Sequence, residues 1–549
     1  MKRNKIALAG IALFAIGAMA LAGCAANSPD AGESDKPAET SNAIITANST
    51  EPENPLIPAD TNEVGGGKIL DAIFAGLAYY AGDGALVNEM AEKIEVDSPS
   101  TLTVTLKEGQ TFTNGEPVVA HNFIDAWNYG AQISNALQNQ SWFSDIVGFS
   151  ADADSELTGL TEVDDQTFKI ELSSDVAADF ATRLGYAVYY PLPDVAFEDM
   201  EAFGENPIGN GPYKFASDTA WQHDIQISLV KNEDYQGGRK VMNGGVDFMF
   251  YPSLDAGYAD LLGGELDVLD EIPEIALPVF QDELGDRALN QPAAIFQSFT
   301  IGQHLAHFSG EEGELRRAAI SRAINREEIT EVVFSGTRTP ASDFTTPVLD
   351  GWSDSLEGAE VLEYDPDEAK KLWGEADKIS PWTGIFEIAY NSDGPHQAWV
   401  DAVSNSLKNT LGIEAQGKAY VDFATLRADV NAVDASGNRT IQTAARSGWQ
   451  ADYPGLYNFL APIYATGAGS NDGVYSNAEF DELLASGAAA EAPEDSIADY
   501  QKAQEILLKD LPAIPLWYQN ALGGYGEAVE NVTFGWDSVP LYYEITKAE

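Results

Sequence analysis

Arg446-Ser447-Gly448-Trp449-Gln450-Ala451-Asp452-Tyr453 sets a cation, a flexible backbone point, an aromatic plate and a carboxylate within eight residues. Pro454, Gly455, Leu456, Phe459 and Leu460 follow at once, apolar or turn-forming. On an extended segment successive side chains alternate, so Trp449 and Gln450 turn to opposite faces. Arg446 and Asp452 stand six positions apart, far enough to separate their charges along one wall. A zwitterion with distant charges, such as a peptide, suits that arrangement. A core tryptophan beside two surface charges fits the same residues equally well.

The pattern R-x-G-W-x-A-D-Y, followed by an apolar segment, resembles the ligand-contacting segment of family 5 extracellular solute-binding proteins. These are the oligopeptide- and dipeptide-binding subunits of ABC importers. The resemblance implies that Asp452 holds a peptide's α-amino group and that Trp449 lines the cleft. It also implies that Arg446 faces the carboxyl end, as in some members, with Gly448 and Gln450 in the same ligand-facing stretch.

With 549 residues the chain can bury deep cores in several domains. Its 30 basic against 87 acidic residues give a formal charge of −57. Such a surface repels nucleic acid and anionic headgroups, so no nucleic acid is expected as a partner. A solvated acidic coat accounts for the charge.

The single cysteine, Cys24, excludes an intramolecular disulfide and a cysteine zinc cluster. It ends a basic start (Lys2, Arg3, Lys5) and an apolar run over 6–20, which together read as a secretory signal too short to span a bilayer. Leu21-Ala22-Gly23-Cys24 is similar to a bacterial lipobox, which implies cleavage before Cys24 and lipid on its sulfur. Residues 25–42 are small, polar and free of aromatics, and read as a flexible tether.

Order is expected from Ala43, with a short buried strand over 43–46. Residues 56–68 then lead to an apolar helix over 69–77. The family resemblance places this segment beside the ligand, so Asn62 and Val64 are further site candidates. Gly65-Gly66-Gly67 would let a backbone approach a ligand closely. Residues 101–106 alternate as a strand, 120–129 form a helix with Phe123 and Trp127 on one face, and 167–172 form another strand. This block resembles the family's second domain, with Trp142 and Phe143 assigned to core packing.

A Gly/Pro-rich crossing at 206–213 is expected to return the chain to the first domain, followed by a strand over 225–230 and a turn over 261–270. A single helix is expected over 314–334, its arginines solvating a face and pairing with acids. Asp365 with Pro366 opens a helix that Gly374 is expected to stop. A helix over 396–409 is followed by a strand. Ser496 to Asp499 has capping-box spacing before a helix, and 514–518 reads as a strand crossing back.

No nucleophile–base motif, phosphate loop or H-E-x-x-H is present. His304 and His307 are three apart, with no third ligand at a telling spacing. Abundant acids leave a glycosidase pair unmarked.

The resemblance covers the chain from about 43 to 543. It implies an α/β, two-lobed, hinge-closing fold like that of periplasmic binding proteins, with three domains. The expected division is 1–23 signal peptide, 24–42 lipid-anchored tether, and 43–86, 191–290 and 513–549 as the first domain. Residues 87–190 form an extra domain and 291–512 the second lobe. The expected function is peptide capture without catalysis, metal or cofactor. The implied partners are a peptide, the importer's permease with its cytoplasmic ATPase, and the outer face of the cell membrane through lipid on Cys24; a monomer suits hinge motion. Another solute on the same fold (an oligosaccharide or a metal chelate), an extracellular hydrolase and a pheromone or adhesion receptor remain the alternatives.

Overall fold

The computed structural model describes residues 41–392, 395–421, 423–436 and 439–548. The expected signal peptide, Cys24 and all but the end of the tether lie outside them. Two thirteen-residue strands, Ala288–Thr300 and Ala513–Tyr525, run antiparallel and form the spine of a twelve-stranded sheet. On one side of this ribbon come Val268–Leu269, Ile44–Ser49, Gly245–Phe250, Gln226–Lys231 and Tyr213–Phe215. On the other come Ala444–Gln450, Ile385–Asn391 and Glu414–Tyr420. Parallel pairs, such as Ile385–Asn391 with Glu414–Tyr420, need a crossover. Here the helix Gln397–Leu411 supplies it, burying Trp399, Val403 and Leu407.

Two apolar cores divide at the ribbon. Ala293 packs in one and Ala294 in the other, and on the partner strand Tyr518 and Ala521 are split the same way. At that point the ladder skips from Pro292 opposite Asn520 to Phe296 opposite Tyr518. Pro292 has no N–H to donate, which favours interruption there. The lobes therefore meet where the ribbon is least regular.

A separate four-stranded antiparallel sheet contains Thr101–Leu106 and Thr167–Glu171. Leu102, Val104 and Leu106 face inward, while the alternating threonines stay half-exposed. The helix Ala120–Ala131 covers the inner face, with Phe123 stacked on Phe168 and Trp127 edge-on to it. Each such ring buried contributes roughly 1.5–3 kcal/mol before entropy is counted.

Several sequence expectations need correction. The helix placed over 69–77 runs Val64–Ile73, and Glu63 caps it by accepting from the Gly66 amide. Its early start puts Gly65–Gly67 inside the first turn. A Cβ on Gly65 would lie 2.6 Å from the Thr50 carbonyl, so the close approach is to the chain's own backbone. The helix expected over 314–334 is two, Gly310–Arg322 and Arg326–Phe334. Their arginines are not surface solvators: Arg316, Arg317 and Arg326 are buried. Arg316 meets Glu312 and Asp377, whereas Arg317 and Arg326 are spent largely on backbone carbonyls.

Asp365 caps as expected, but the helix Pro366–Ile379 continues through Gly374, where a Cβ would meet nothing within 4 Å. Ser496 caps no amide; its hydroxyl donates back to the Pro493 carbonyl. His304 and His307 do not share a helix face. His304 reaches the Ile441 carbonyl and His307 pairs with Glu312.

Candidate functional site

The strand Ala444–Gln450 carries the candidate residues along an edge of the second lobe. On one side it is zipped to the ribbon, from Ala445 opposite Thr300 to Gln450 opposite Ile295. On the other it pairs with the neighbouring strand only at Ala444 and Ala445. Among the described residues, the outward edge from Ser447 to Gln450 has no strand partner in this ladder, and such an edge offers N–H and C=O groups. Gly448 is required by the zipped side. A Cβ there would sit 2.9 Å from the Phe296 carbonyl. Gln450 is exposed.

Just past this strand the chain turns at Tyr453-Pro454-Gly455 into the helix Leu456–Tyr464. That helix is apolar except for Asn458, which is buried. Asn458 Oδ1 accepts from the Trp449 indole Nε1 at 3.0 Å and from the Asp452 amide at 3.1 Å. Its Nδ2 donates to Asp452 Oδ2 at 3.0 Å. Both groups facing Oδ1 can only donate, so the orientation of this amide is determined. One buried asparagine thereby fixes the aromatic plate and the carboxylate together.

Asp452 is exposed to solvent, yet the protein crowded around it raises its carboxyl above the ordinary aspartate value, with the Asn458 bond acting in the opposite direction. The two observations describe a carboxylate in a recess, reachable but poorly hydrated. Tyr186 stands within electrostatic reach. Its phenol is pushed up to about 12, first by burial and then by the Asp452 charge. Trp142 packs against Tyr186 with ring centroids 4.6 Å apart and planes tilted by 41°, and meets the Tyr453 ring at 6.3 Å, nearly edge-on. Phe143 packs in the core as expected, whereas Trp142 stays half-buried at this junction.

The residue after the carboxylate turns away from the recess. Tyr453 is buried and donates its hydroxyl to Asp179 Oδ1 at 2.7 Å. Arg183 then holds Asp179 Oδ2 and, through Nη1, Asp145 Oδ2 at 2.7 Å. Asp179 and Arg183 belong to the short helix Ala177–Arg183, which packs with the first core. The turn bearing Asp452 is therefore tied to the opposite lobe.

Arg446 donates its Nε to Asn391 Oδ1 at 2.8 Å, and its guanidinium lies 4.6 Å over the Phe423 ring. Its charge is fixed on the strand that leads to Asp452. Asn62 and Val64 are exposed in the other lobe. Asn62 donates to Gln138 Oε1, and Asn139 donates to the Thr61 carbonyl, tying this segment to the turn that leads to Trp142. The structure thus carries Arg446, Gly448, Trp449 and Gln450 on one strand, with Asp452 two positions beyond its end.

Sequence reasoning missed Asn458 and Tyr186. A lone asparagine in the run L-Y-N-F-L-A-P-I-Y was a readable signal for the first; nothing local marked the second. Among the described residues no group of three or more His, Cys, Asp or Glu could hold a metal, and no helix is long and apolar enough to cross a membrane.

The oligopeptide-binding protein OppA of Bacillus subtilis is 25% identical over 510 residues, covering 89% of each chain. Among solved structures, a periplasmic murein tripeptide binding protein in its unliganded open form superposes with a TM-score of 0.81. It is 20% identical and covers 92% of this chain and 97% of its own. The periplasmic binding protein DppA from Helicobacter pylori, in complex with the peptide STSA, gives a TM-score of 0.64 at 20% identity, over 93% and 99%. The two-lobed α/β architecture is shared with these structures. The model of the bacterial extracellular solute-binding proteins, family 5 Middle, matches residues 85–471, well over half of the chain, and the protein belongs to that family.

Proposed function

We propose that this chain is the peptide-binding component of an ABC importer, working outside the cytoplasm and acting by binding alone. The observation that carries the reading is the pairing of a fixed, poorly hydrated carboxylate with an unpaired strand edge. A charged amine is costly to bury without a counter-charge, and Asp452 supplies one. The edge from Ser447 to Gln450 then takes the peptide backbone as an added strand, a mode indifferent to side-chain identity. Trp449 lines this wall, Arg446 meets the carboxylate end of peptides of suitable length, and Asn62 and Val64 close from the first lobe. Closure turns on the irregular point of the ribbon.

The same reading assigns the domain limits given above, a monomer, a permease with its cytoplasmic ATPase as partner, and lipid on Cys24 as the membrane anchor. The peptide-binding relatives and the family membership support it. Mass spectrometry of ligands released on denaturing the purified protein tests the solute class directly. Peptides should be recovered, and their lengths should share a narrow range. Recovery of sugars or metal chelates alone would overturn the peptide assignment.

A further inference from the structure

A cavity of about 70 Å³ lies between the helix Val64–Ile73 and the C-terminal loop over 535–543. None of Asn62, Val64, Arg446, Trp449 and Asp452 lines it. A water needs about 10–15 Å³, so there is room for about five non-hydrogen atoms. Two cations and two carboxylates line it, namely Lys68, Arg239, Asp71 and Asp537. Both cations are already answered. Lys68 pairs with Asp270, and Arg239 Nε meets Glu89 Oε1 at 2.8 Å. Those pairs cancel, which leaves Asp71 and Asp537 as a surplus of negative charge. Asp71 Oδ1 accepts from the Tyr190 hydroxyl at 2.9 Å and lies 3.2 Å from Arg239 Nη1, but its Oδ2 has no hydrogen-bond partner among the described residues. Asp537 Oδ1 accepts from the Val539 amide at 3.0 Å, and no side chain among the described residues donates to this carboxylate. Asp537 keeps contact with solvent, yet crowding by the protein, with the Asp71 charge in support, raises its carboxyl to about 6.

Tyr542 lines the same cavity and is only 5% exposed, yet its hydroxyl has no hydrogen-bond partner among the described residues. Burial, then the charges of Asp270 and Asp537, hold its phenol well above the ordinary range, so it stays neutral and able to accept. A buried hydroxyl left unmet is costly, and in a cavity lined by spare carboxylates it calls for a polar guest. The charge surplus selects a cation over an anion. Ala72, Val539, Pro540 and Leu541 add apolar lining, which suits an alkyl tail rather than a bare ion. We propose that this cavity is a second binding site, which takes a small primary alkylammonium ion with its head on Asp71, Asp537 and Tyr542. Three N–H donors then meet three acceptors. The site is separate from the peptide wall, so either assignment can fail without the other.

The test is calorimetry on the full chain with n-butylammonium chloride, against 1-butanol and sodium butyrate at matched ionic strength. One site per chain should saturate with the ammonium below about 10 mM, and neither control should bind. Asp452→Ala should leave this binding unchanged, which separates it from the peptide site. Asp537→Asn and Asp71→Asn should each weaken it by at least about tenfold. Tyr542→Phe, which removes the hydroxyl alone, should weaken it by about fivefold. No saturable heat, or heat indifferent to both aspartate substitutions, would overturn the site. Loss of binding in Asp452→Ala would assign the amine to the peptide wall and overturn it equally. Displacement of n-butylammonium by potassium or calcium chloride at the same ionic strength would overturn the ammonium class.

Discussion

Asn458 grips Asp452 at two points, its Nδ2 on the carboxylate and its Oδ1 on the same residue's backbone amide, and it is buried while Asp452 is exposed. The ligand-facing group is thus oriented from behind by a residue no ligand need touch. Asn458→Leu keeps the volume but strands the Trp449 indole and the Asp452 amide without their acceptor. Leaving a buried donor unmet costs about 1–3 kcal/mol. Denaturant melts should show a loss in that range, and peptide affinity should fall about tenfold although the Asp452 charge survives.

Asp452→Ala should lower peptide affinity at least about tenfold, the cost of removing one partner from a desolvated charge pair. The empty protein should melt close to the parent, because relief of the crowded carboxylate offsets the Asn458 Nδ2 donor left without its acceptor. A raised carboxyl also protonates earlier on acidification than an ordinary aspartate. Affinity for free-amine peptides should therefore decline in mild acid, and calorimetry across the acidic range reads that decline. Affinity that held steady until strong acid would contradict the recessed carboxylate.

Tyr453→Phe removes the hydroxyl that reaches Asp179 and leaves that acid to Arg183 alone. A loss of about 1–3 kcal/mol is expected from the buried acceptor left unmet. Because this bond joins the two lobes, small-angle scattering of the ligand-free variant should also report a broader spread of lobe separations than the parent.

Asp343 is fully buried, accepts from the Tyr518 hydroxyl at 2.6 Å and from Thr345, and is raised by burial to about 6. Its folded value exceeds that of the unfolded chain, so the native state holds a proton that the unfolded state releases. The associated stability is complete below the ordinary aspartate range and is lost as pH rises through about 6. Melting temperature should fall over that interval, and Asp343→Asn should flatten the dependence.

Arg326 spends its donors on the carbonyls of Pro515, Ser321 and Leu362 and on the Ser321 hydroxyl, and burial lowers it to about 9. Arg326→Met should be among the most damaging substitutions in the second lobe. Each buried carbonyl left unmet costs about 1–3 kcal/mol, and soluble yield together with urea melts measures the sum.

Local chemistry made much of the architecture readable. The alternation of Thr101–Leu106 and the cap at Asp365 need only neighbouring residues, and both elements stand where expected. What failed depended on distant partners. Arg316, Arg317 and Arg326 look solvated in sequence because their carboxylates and carbonyls come from elsewhere in the chain. The segment R-x-G-W-x-A-D-Y was legible as an extended stretch with charges near its two ends, and the strand itself stops at Gln450. Its control by Asn458 was legible only in hindsight, and Tyr186 comes within electrostatic reach of Asp452 only after 265 residues of intervening chain have folded back.

The spine built from Ala288–Thr300 and Ala513–Tyr525 brings together segments far apart in the sequence. Even the short strand Val268–Leu269 waits for Tyr525 and Gly524 to pair with it. Neither lobe's sheet is closed until Ala513–Tyr525 is in place, so the two halves of the molecule share one late-forming element and their folding is coupled through it.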